Sequence, residues 1–359
     1  TEPQTLIASD YLRMSRKEIT LPTVNGYTPY KADLHIHSTY TDGTLNIKGR
    51  VEEAWCDGLD VISMTDHLSI RVVRDKVGEV TPDSMKVKRG SKPLKAMQST
   101  VKVAKDFGLL VIPGVELTGD GETQGHYNAL FIKDISSVYD YDALQAVRNA
   151  RQQGALIMHN HPGWKRKTVD MNAFHKKIYE AGLIDGIEIV NGGSFGSKLI
   201  KRCLDNKLFM AAATDAHPIT ATAFAQRDYF RTCTFVLAKE LTEKSVRKAL
   251  EKGMTLAYSS GNIAGRADLL QDLFKASVSY KYLSSNSKGK VTYALTNSTS
   301  IHYSLRFGKK TLEVPPFETV IINISGDKDG NPKDFSCYVM NMWEVDYKHP
   351  KIVFKALTK

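Results

Sequence analysis

The sequence predicts an α/β fold: about seven βα units around a largely parallel core sheet or barrel, followed by a small all-β unit. Three observations predict it. Between about residues 31 and 260, short β-branched apolar runs alternate with longer amphipathic stretches. After about residue 268 the hydrophobic period falls to two. Seven of the ten histidines sit in short motifs near predicted strand ends, not spread through helices.

The predicted strands are 31–34, 59–64, 109–113, 127–132, 155–158, 186–190 and 210–213. Between them fall helices over 46–57, 94–107, 141–153, 171–181, 197–206 and 243–252, with apolar positions three to four residues apart and glycine closing several. The later segments VSYKYL, KVTYALTN, IHYSLRFG, ETVIINIS, SCYVMNMWEV and KIVFKAL alternate and are parted by turn-rich pieces such as SSNSKGK. This divides the chain into a lead-in (1–30), a main unit (31–267) and a β-rich C-terminal unit (268–359). Tyr293, Phe307, Phe317, Tyr338 and Trp343 are the expected aromatic core of the last.

With 359 residues, 42% hydrophobic and 25% charged, the chain can bury a large core, and no stretch reaches the roughly 18 apolar residues of a membrane span. Four isolated cysteines, without CxxC spacing, suggest neither a thiolate zinc site nor a disulfide framework; buried apolar roles are expected. The net charge of +10 suits anionic ligands. Residues 275–359 carry thirteen basic against seven acidic side chains, and residues 71–95, read as one loop, carry eight against three. That loop is either a solvated surface or an anion-steering rim. The chain begins at Thr1, and a periplasmic or secreted location after signal-peptide removal is slightly favoured over the cytoplasm.

The histidine motifs are Asp33-Leu34-His35-Ile36-His37 with Thr41-Asp42-Gly43, then Thr65-Asp66-His67, Gly114-Val115-Glu116, Gly125-His126-Tyr127, His159-Asn160-His161-Pro162 and Thr214-Asp215-Ala216-His217. On a strand, residues two apart share a face, so an HxH pair aims two imidazoles at one point. One such pair is weak evidence, because a lone histidine on an apolar face is more often a hydrogen-bonded core residue. Four further motifs with the same placement make coincidence a poor explanation, since loops after barrel strands meet on one face. His126 is the exception, because it precedes its predicted strand.

These motifs resemble the PHP (polymerase and histidinol phosphatase) family of metal-dependent phosphoesterases over about residues 31–260. KADLHIHSTYTDGTL is similar to the family's opening motif, followed by ISMTDH, GVEL, NHPGW and TDAH. GHYNALF, HNHPGW and GIEIVNG further resemble a bacterial branch often labelled phosphodiesterase. The resemblance implies a distorted seven-stranded (β/α) barrel and three metal positions: His35, His37, Glu116 and Asp215 at the first; Glu116, His126 and His161 at the second; Asp42, His67 and His217 at the third. His159 could replace or accompany His161, and only the family's His-Pro pairing favours the latter. Mixed imidazole and carboxylate donors suit two or three Zn²⁺, Mn²⁺ or Fe²⁺ ions per chain and fit Ca²⁺ poorly. Asp33 and Asp66, beside ligands, could accept the second ring N–H of a ligand histidine or simply serve structural hydrogen bonds.

The expected chemistry is hydrolysis of a phosphate ester, a diester favoured over a monoester, by a metal-activated hydroxide without a protein nucleophile. Cationic groups that could hold the phosphoryl oxygens are Arg71, Lys165 and Arg231, with Arg166 and Arg266 as further candidates. The expected partner is a small anionic phosphate ester; nucleic acid is possible but not favoured, for no aromatic and basic interleaving marks a stacking platform. Competing readings are a metal-dependent amidohydrolase, a nuclease, and a non-catalytic metal-binding scaffold. Oligomeric state is not legible.

Overall fold

A computed structural model describes residues 15–70, 82–140, 142–223 and 229–357. Among the described residues the main unit has thirteen strands: β1 (Thr28–Ile36), β2 (Val61–Met64), β3 (His67–Ser69), β4 (Leu110–Val111), β5 (Gly114–Thr118), β6 (His126–Leu130), β7 (Leu156–Asn160), β8 (Gly186–Asn191), β9 (Ser194–Phe195), β10 (Phe209–Ala213), β11 (Cys233–Ala238), β12 (Thr255–Ser259) and β13 (Asn262–Gly265). Its helices are α1 (Ile47–Cys56), α2 (Pro82–Ala104), α3 (Ala143–Gln152), α4 (Ala173–Glu180), α5 (Ser197–Asn206), α6 (Thr220–Ala223), α7 (Glu243–Glu251) and α8 (Ala267–Ser277).

All seven predicted strands are present, and each predicted helix lies where its apolar spacing places it. Side-chain oxygens start four of the helices: Asn46 accepts from Gly49 N–H, Asp142 from Leu144, Asn172 from His175 and Thr242 from Ser245. Each satisfies one of the backbone donors that an α-helix leaves open at its N-terminus. On α3 the buried positions are Ala143, Leu144, Ala146, Val147 and Ala150, one stripe of a 3.6-residue period. Helix α2 begins at Pro82, so the second half of the stretch read as a basic loop is helical. The expectation of a start at 94 stopped at Pro93, which lacks a backbone donor yet sits inside this helix.

The strands do not close into a single hydrogen-bonded ring among the described residues. They form two sheets, ordered β13-β12-β11-β1-β2-β4 and β10-β8-β7-β6-β5-β3, with β9 paired to β8. The sheets meet at the ends of β1 and β10, where Asp215 N–H donates to His35 O (2.9 Å) and His37 N–H to Ala216 O (3.2 Å). Nor is the strand set all parallel: β6 runs antiparallel to both β5 and β7, and β11 antiparallel to β1 and β12.

Beyond α8, strands over Val278–Ser285, Lys290–Asn297 and Thr319–Ser325 form one antiparallel sheet, and Lys310–Val314, Tyr303–Phe307, Phe335–Val339 and Lys351–Phe354 another. The short strand Met342–Trp343 returns to pair with β13 of the first sheet. Tyr293, Tyr303, Phe335 and Phe354 are the buried aromatics there, continuous with Phe274 of α8 and with Phe235 and Tyr258 of the main unit. Of the aromatics expected in that core, Tyr293 is buried and Phe307 packs against it. Trp343 joins a different cluster against α5, while Phe317 and Tyr338 are exposed. Their strand positions fall on the outward side of the alternation or in a turn. Cys203, Cys233 and Cys337 are buried, as expected, and Cys56 is half-buried; all four are free. No helix among the described residues is long and apolar enough to cross a membrane.

Candidate metal centre

The centre is built at the ends of β1, β7 and β10, in the middle of β5, and at the starts of β3 and β6. Strand alternation puts His35 and His37 on one buried face, with their Nε2 atoms 3.0 Å apart. Asp215 Oδ1 lies 3.2 Å from His35 Nε2 and 3.1 Å from His37 Nε2, because the chain leaves β10 through a left-handed residue, Asp215 (φ 52°), that turns its carboxylate back over β1. Glu116, fully buried on β5, places Oε1 3.3 Å from His35 Nε2, 3.0 Å from His126 Nδ1 and 3.7 Å from His161 Nε2.

His126 belongs here because β6 is reversed. Its first residue sits level with the last residues of its neighbours, His126 pairing with Thr118 at the end of β5 and with Asn160 at the end of β7. The antiparallel direction thus brings a strand start to the face where the parallel strands finish.

Asp42 arrives on a tight turn in which Thr41 and Gly43 both donate to Ser38 O (3.1 and 3.0 Å). A Cβ on Gly43 would fall 2.5 Å from His37 O, so glycine is needed for this close approach. Thr44 N–H then donates to His217 O (2.8 Å), tying the turn to the loop after β10. Asp42 consequently reaches His217 Nε2 and His67 Nε2, each at 3.3 Å, and the His37 ring packs against both the His67 and the His217 ring, with centroids 4.3 Å from each.

Three groups of side chains have donor atoms close enough to hold an ion: His37, Asp42, His67 and His217; His35, Glu116 and His161; His35, His37 and Asp215. The donor set fits divalent ions. Six imidazoles and three carboxylates converge, and the buried nitrogens His37 Nδ1 and His126 Nε2 have no hydrogen-bond partner. Electrostatics among these side chains shows the same crowding. Burial would lower the pKa of His35, but Asp215 and Glu188 hold it well above the ordinary imidazole value. Burial works the same way on His67, and Asp42 and Glu116 push it up to about 10. Burial would raise Glu116 and Asp215, yet the surrounding histidines hold both well below the carboxylate range.

A family model for the PHP domain matches residues 33–300. The chain belongs to the PHP domain family. A solved two-domain protein from Bacteroides vulgatus, containing a predicted PHP-like metal-dependent phosphoesterase, is 29% identical, with a TM-score of 0.83 over 96% of this chain and 99% of its own. An amidohydrolase from Chromobacterium violaceum is 14% identical (TM-score 0.38; 52% of this chain and 87% of its own). The lesion-specific endonuclease Q of Pyrococcus furiosus is 17% identical (TM-score 0.40; 66% and 59%). Those two likenesses are too low to bear on activity. No curated protein matches the chain.

All nine residues expected as ligands in this PHP domain lie together. His159 does not join them. Strand parity aims it with His161 only if β7 continues, but β7 ends at Asn160, and His161 (φ 27°) swings independently toward Glu116. His159 instead stacks on Tyr127 and sits 3.0 Å from the Tyr179 hydroxyl. Asp33 and Asp66 hold backbone and hydroxyl groups rather than ligand imidazoles: Asp33 accepts from His35 N–H, Thr214 N–H and the Thr214 hydroxyl, and Asp66 from Ser38 N–H and the Ser38 and Thr41 hydroxyls.

The carboxylate that does orient a ligand ring is Glu188 on β8, with Oε1 3.1 Å from His35 Nδ1 and Oε2 accepting from His161 N–H at 2.7 Å and from Asn191 Nδ2 at 3.0 Å. A lone acid inside the apolar run GIEIV was its one sequence signal. Asn160 donates to Glu116 Oε1 (3.1 Å), and Thr118 Oγ1 lies 2.6 Å from His67 Nδ1.

Among the cations expected to hold phosphate, Lys165 stands at the rim, its Nζ 4.4 Å above the Trp164 ring, which in turn contacts the His126 and His161 rings. Arg231 is buried and ion-paired with Asp33 and Asp57, so its guanidinium braces the loop beneath the centre and does not face the mouth. Arg166 turns to His175 Nδ1 and Asp170 O, and Arg266 pairs with Asp268. Arg71 lies outside the described residues.

Proposed function

We propose that this PHP-domain hydrolase acts on phosphate esters, on diesters in preference to monoesters, at a centre of two or three divalent ions held by His35, His37, Asp42, His67, Glu116, His126, His161, Asp215 and His217. The observation that carries the reading is the convergence of three groups of donor side chains, the third joined to the other two through His35 and His37. Bound there, divalent ions supply Lewis-acid charge to a phosphoryl oxygen and lower the pKa of water.

The chain's own residues do the rest. Glu188 fixes the ring of His35, while Asn160 and Thr118 fix Glu116. Lys165 at the rim offers one positive charge to the phosphoryl group. Among the described residues Lys165 is the one expected phosphate-holding cation at the rim, and one positive charge suits the monoanion of a diester, which supports the diester preference. The nearest hydroxyls support the absence of a protein nucleophile, because Ser38 and Thr41 donate to Asp66 and Thr118 to Glu116. Zn²⁺, Mn²⁺ and Fe²⁺ all suit the donor set.

The test is release of p-nitrophenolate from bis(p-nitrophenyl) phosphate and from p-nitrophenyl phosphate by protein reconstituted in turn with each metal. Faster diester turnover is expected. Monoester preference would overturn the diester reading, and no release by fully loaded protein would overturn the phosphoesterase reading.

A further inference from the structure

Against the metal ligands lies a cavity of about 270 Å³. Its inner end is formed by His161, Glu188 and Asn191, and its walls by Trp164, Val169, Ile189, Phe195 and Leu199. Among the described residues no Lys or Arg side chain lines it, and its carboxylate, Glu188, already binds His35, His161 N–H and Asn191. A second phosphate would therefore find no counter-charge there, and a polyhydroxylated sugar few free polar partners. An apolar group would find walls that match it.

The walls are fixed before any ligand arrives. Trp164 packs on the His126 and His161 rings at 4.8 and 5.4 Å, and Gly121 backs it so closely that a Cβ there would lie 2.5 Å from the indole. Phe195 is carried by β9, paired directly to β8 through Val190 and Asn191, so the wall and the residues that brace the centre move as one hairpin. Both rings remain exposed to water, Trp164 by 42% and Phe195 by 39%. Covering such rings is favourable in proportion to the apolar area removed from water. On the far side of Phe195 a second cavity of about 240 Å³, walled by Val190, Ala257, Ala264 and Trp343, extends the apolar surface.

We propose that the cavity between Trp164 and Phe195 seats an apolar substituent, aryl or branched alkyl, of a phosphodiester whose phosphoryl group lies at the His161 end. This rests on the phosphoesterase reading and names the substrate class for it. An apolar cavity of about 150 Å³ is large enough for benzene, so this one accommodates a ring with its linking atoms.

The test is calorimetric titration of the Mn²⁺-loaded full chain with two monoanionic diester mimics, methyl methylphosphonate and methyl phenylphosphonate, and with the methylphosphonate ester of thymidine. The phenyl compound is expected to bind at least about tenfold more tightly than the methyl compound. Phe195→Ala and Trp164→Ala are each expected to reduce that preference severalfold, with metal content and methyl methylphosphonate affinity unchanged in Phe195→Ala. Equal affinity for the first two compounds, with metal-dependent diester turnover intact, would overturn the cavity assignment and leave the phosphoesterase reading standing. Tightest binding of the thymidine ester would overturn it in favour of a nucleobase. Failure of all three to bind, together with absent turnover in loaded protein, would overturn both.

Discussion

Glu188 is a carboxylate with almost no exposure to water, and its two oxygens meet one ligand ring and the backbone of another ligand. Partners of this kind set ring orientation and donor strength. Glu188→Gln is expected to lower metal affinity or activity about 10- to 100-fold with the fold retained, read by chelator competition and circular dichroism; wild-type affinity would deny it this role. Protons compete with metal at the same atoms. His35, His67, His161 and His217 all have raised pKa values in the metal-free cluster, so their pairing stabilises that form fully below the ordinary 6.5 and is lost as pH rises, for His67 through about 10. Metal binding displaces those protons. The gap in thermal midpoint between loaded and metal-free protein is thus expected to widen from pH 6.5 toward 10, and a constant gap would contradict this. At this scale the side chains that converge were legible, because histidine and carboxylate beside strand ends are conspicuous residue types. Glu188 was not, since one acid within an apolar strand carries no spacing signal, and the choice between His159 and His161 turned on a backbone torsion that parity cannot supply.

Helix α1 contributes more than its apolar face. Its Arg50 is buried and donates to His37 O (2.8 Å), Pro218 O (2.9 Å) and His217 O (2.5 Å) while pairing with Glu53, so one guanidinium clamps the segments that carry His37 and His217. Removing one partner of a buried ion pair typically costs about 3–5 kcal/mol. Arg50→Met should lower the free energy of unfolding by about that amount in urea titration and weaken metal binding; a loss below about 1 kcal/mol would show that the clamp contributes little. Strands and helices were legible from period and caps. Strand direction was not: apolar runs look alike in either direction, and the reversal of β6 is what rescues His126 from its misplaced position in a parallel scheme.

At the scale of the whole molecule, the C-terminal sheets are not loosely appended. Phe274 of α8 packs edge-on to Tyr303 and Phe354, one hydrophobic core runs from Phe235 and Tyr258 through Tyr293 to Phe335, and Met342–Trp343 extends the first sheet. Alternation revealed this region as β-rich but could not reveal which aromatics face inward across a shared core. Shared burial couples unfolding, so a single cooperative thermal transition is expected for the whole chain. Two separate transitions by calorimetry would contradict it. The central claim is that the convergent histidines and carboxylates are a hydrolytic metal centre. It is tested most directly by measuring bound metal and bis(p-nitrophenyl) phosphate turnover side by side in the wild type and in Asp215→Ala. Loss of metal and turnover together, in a protein that stays folded, is the expected result; full turnover in the variant at wild-type metal content would contradict the account.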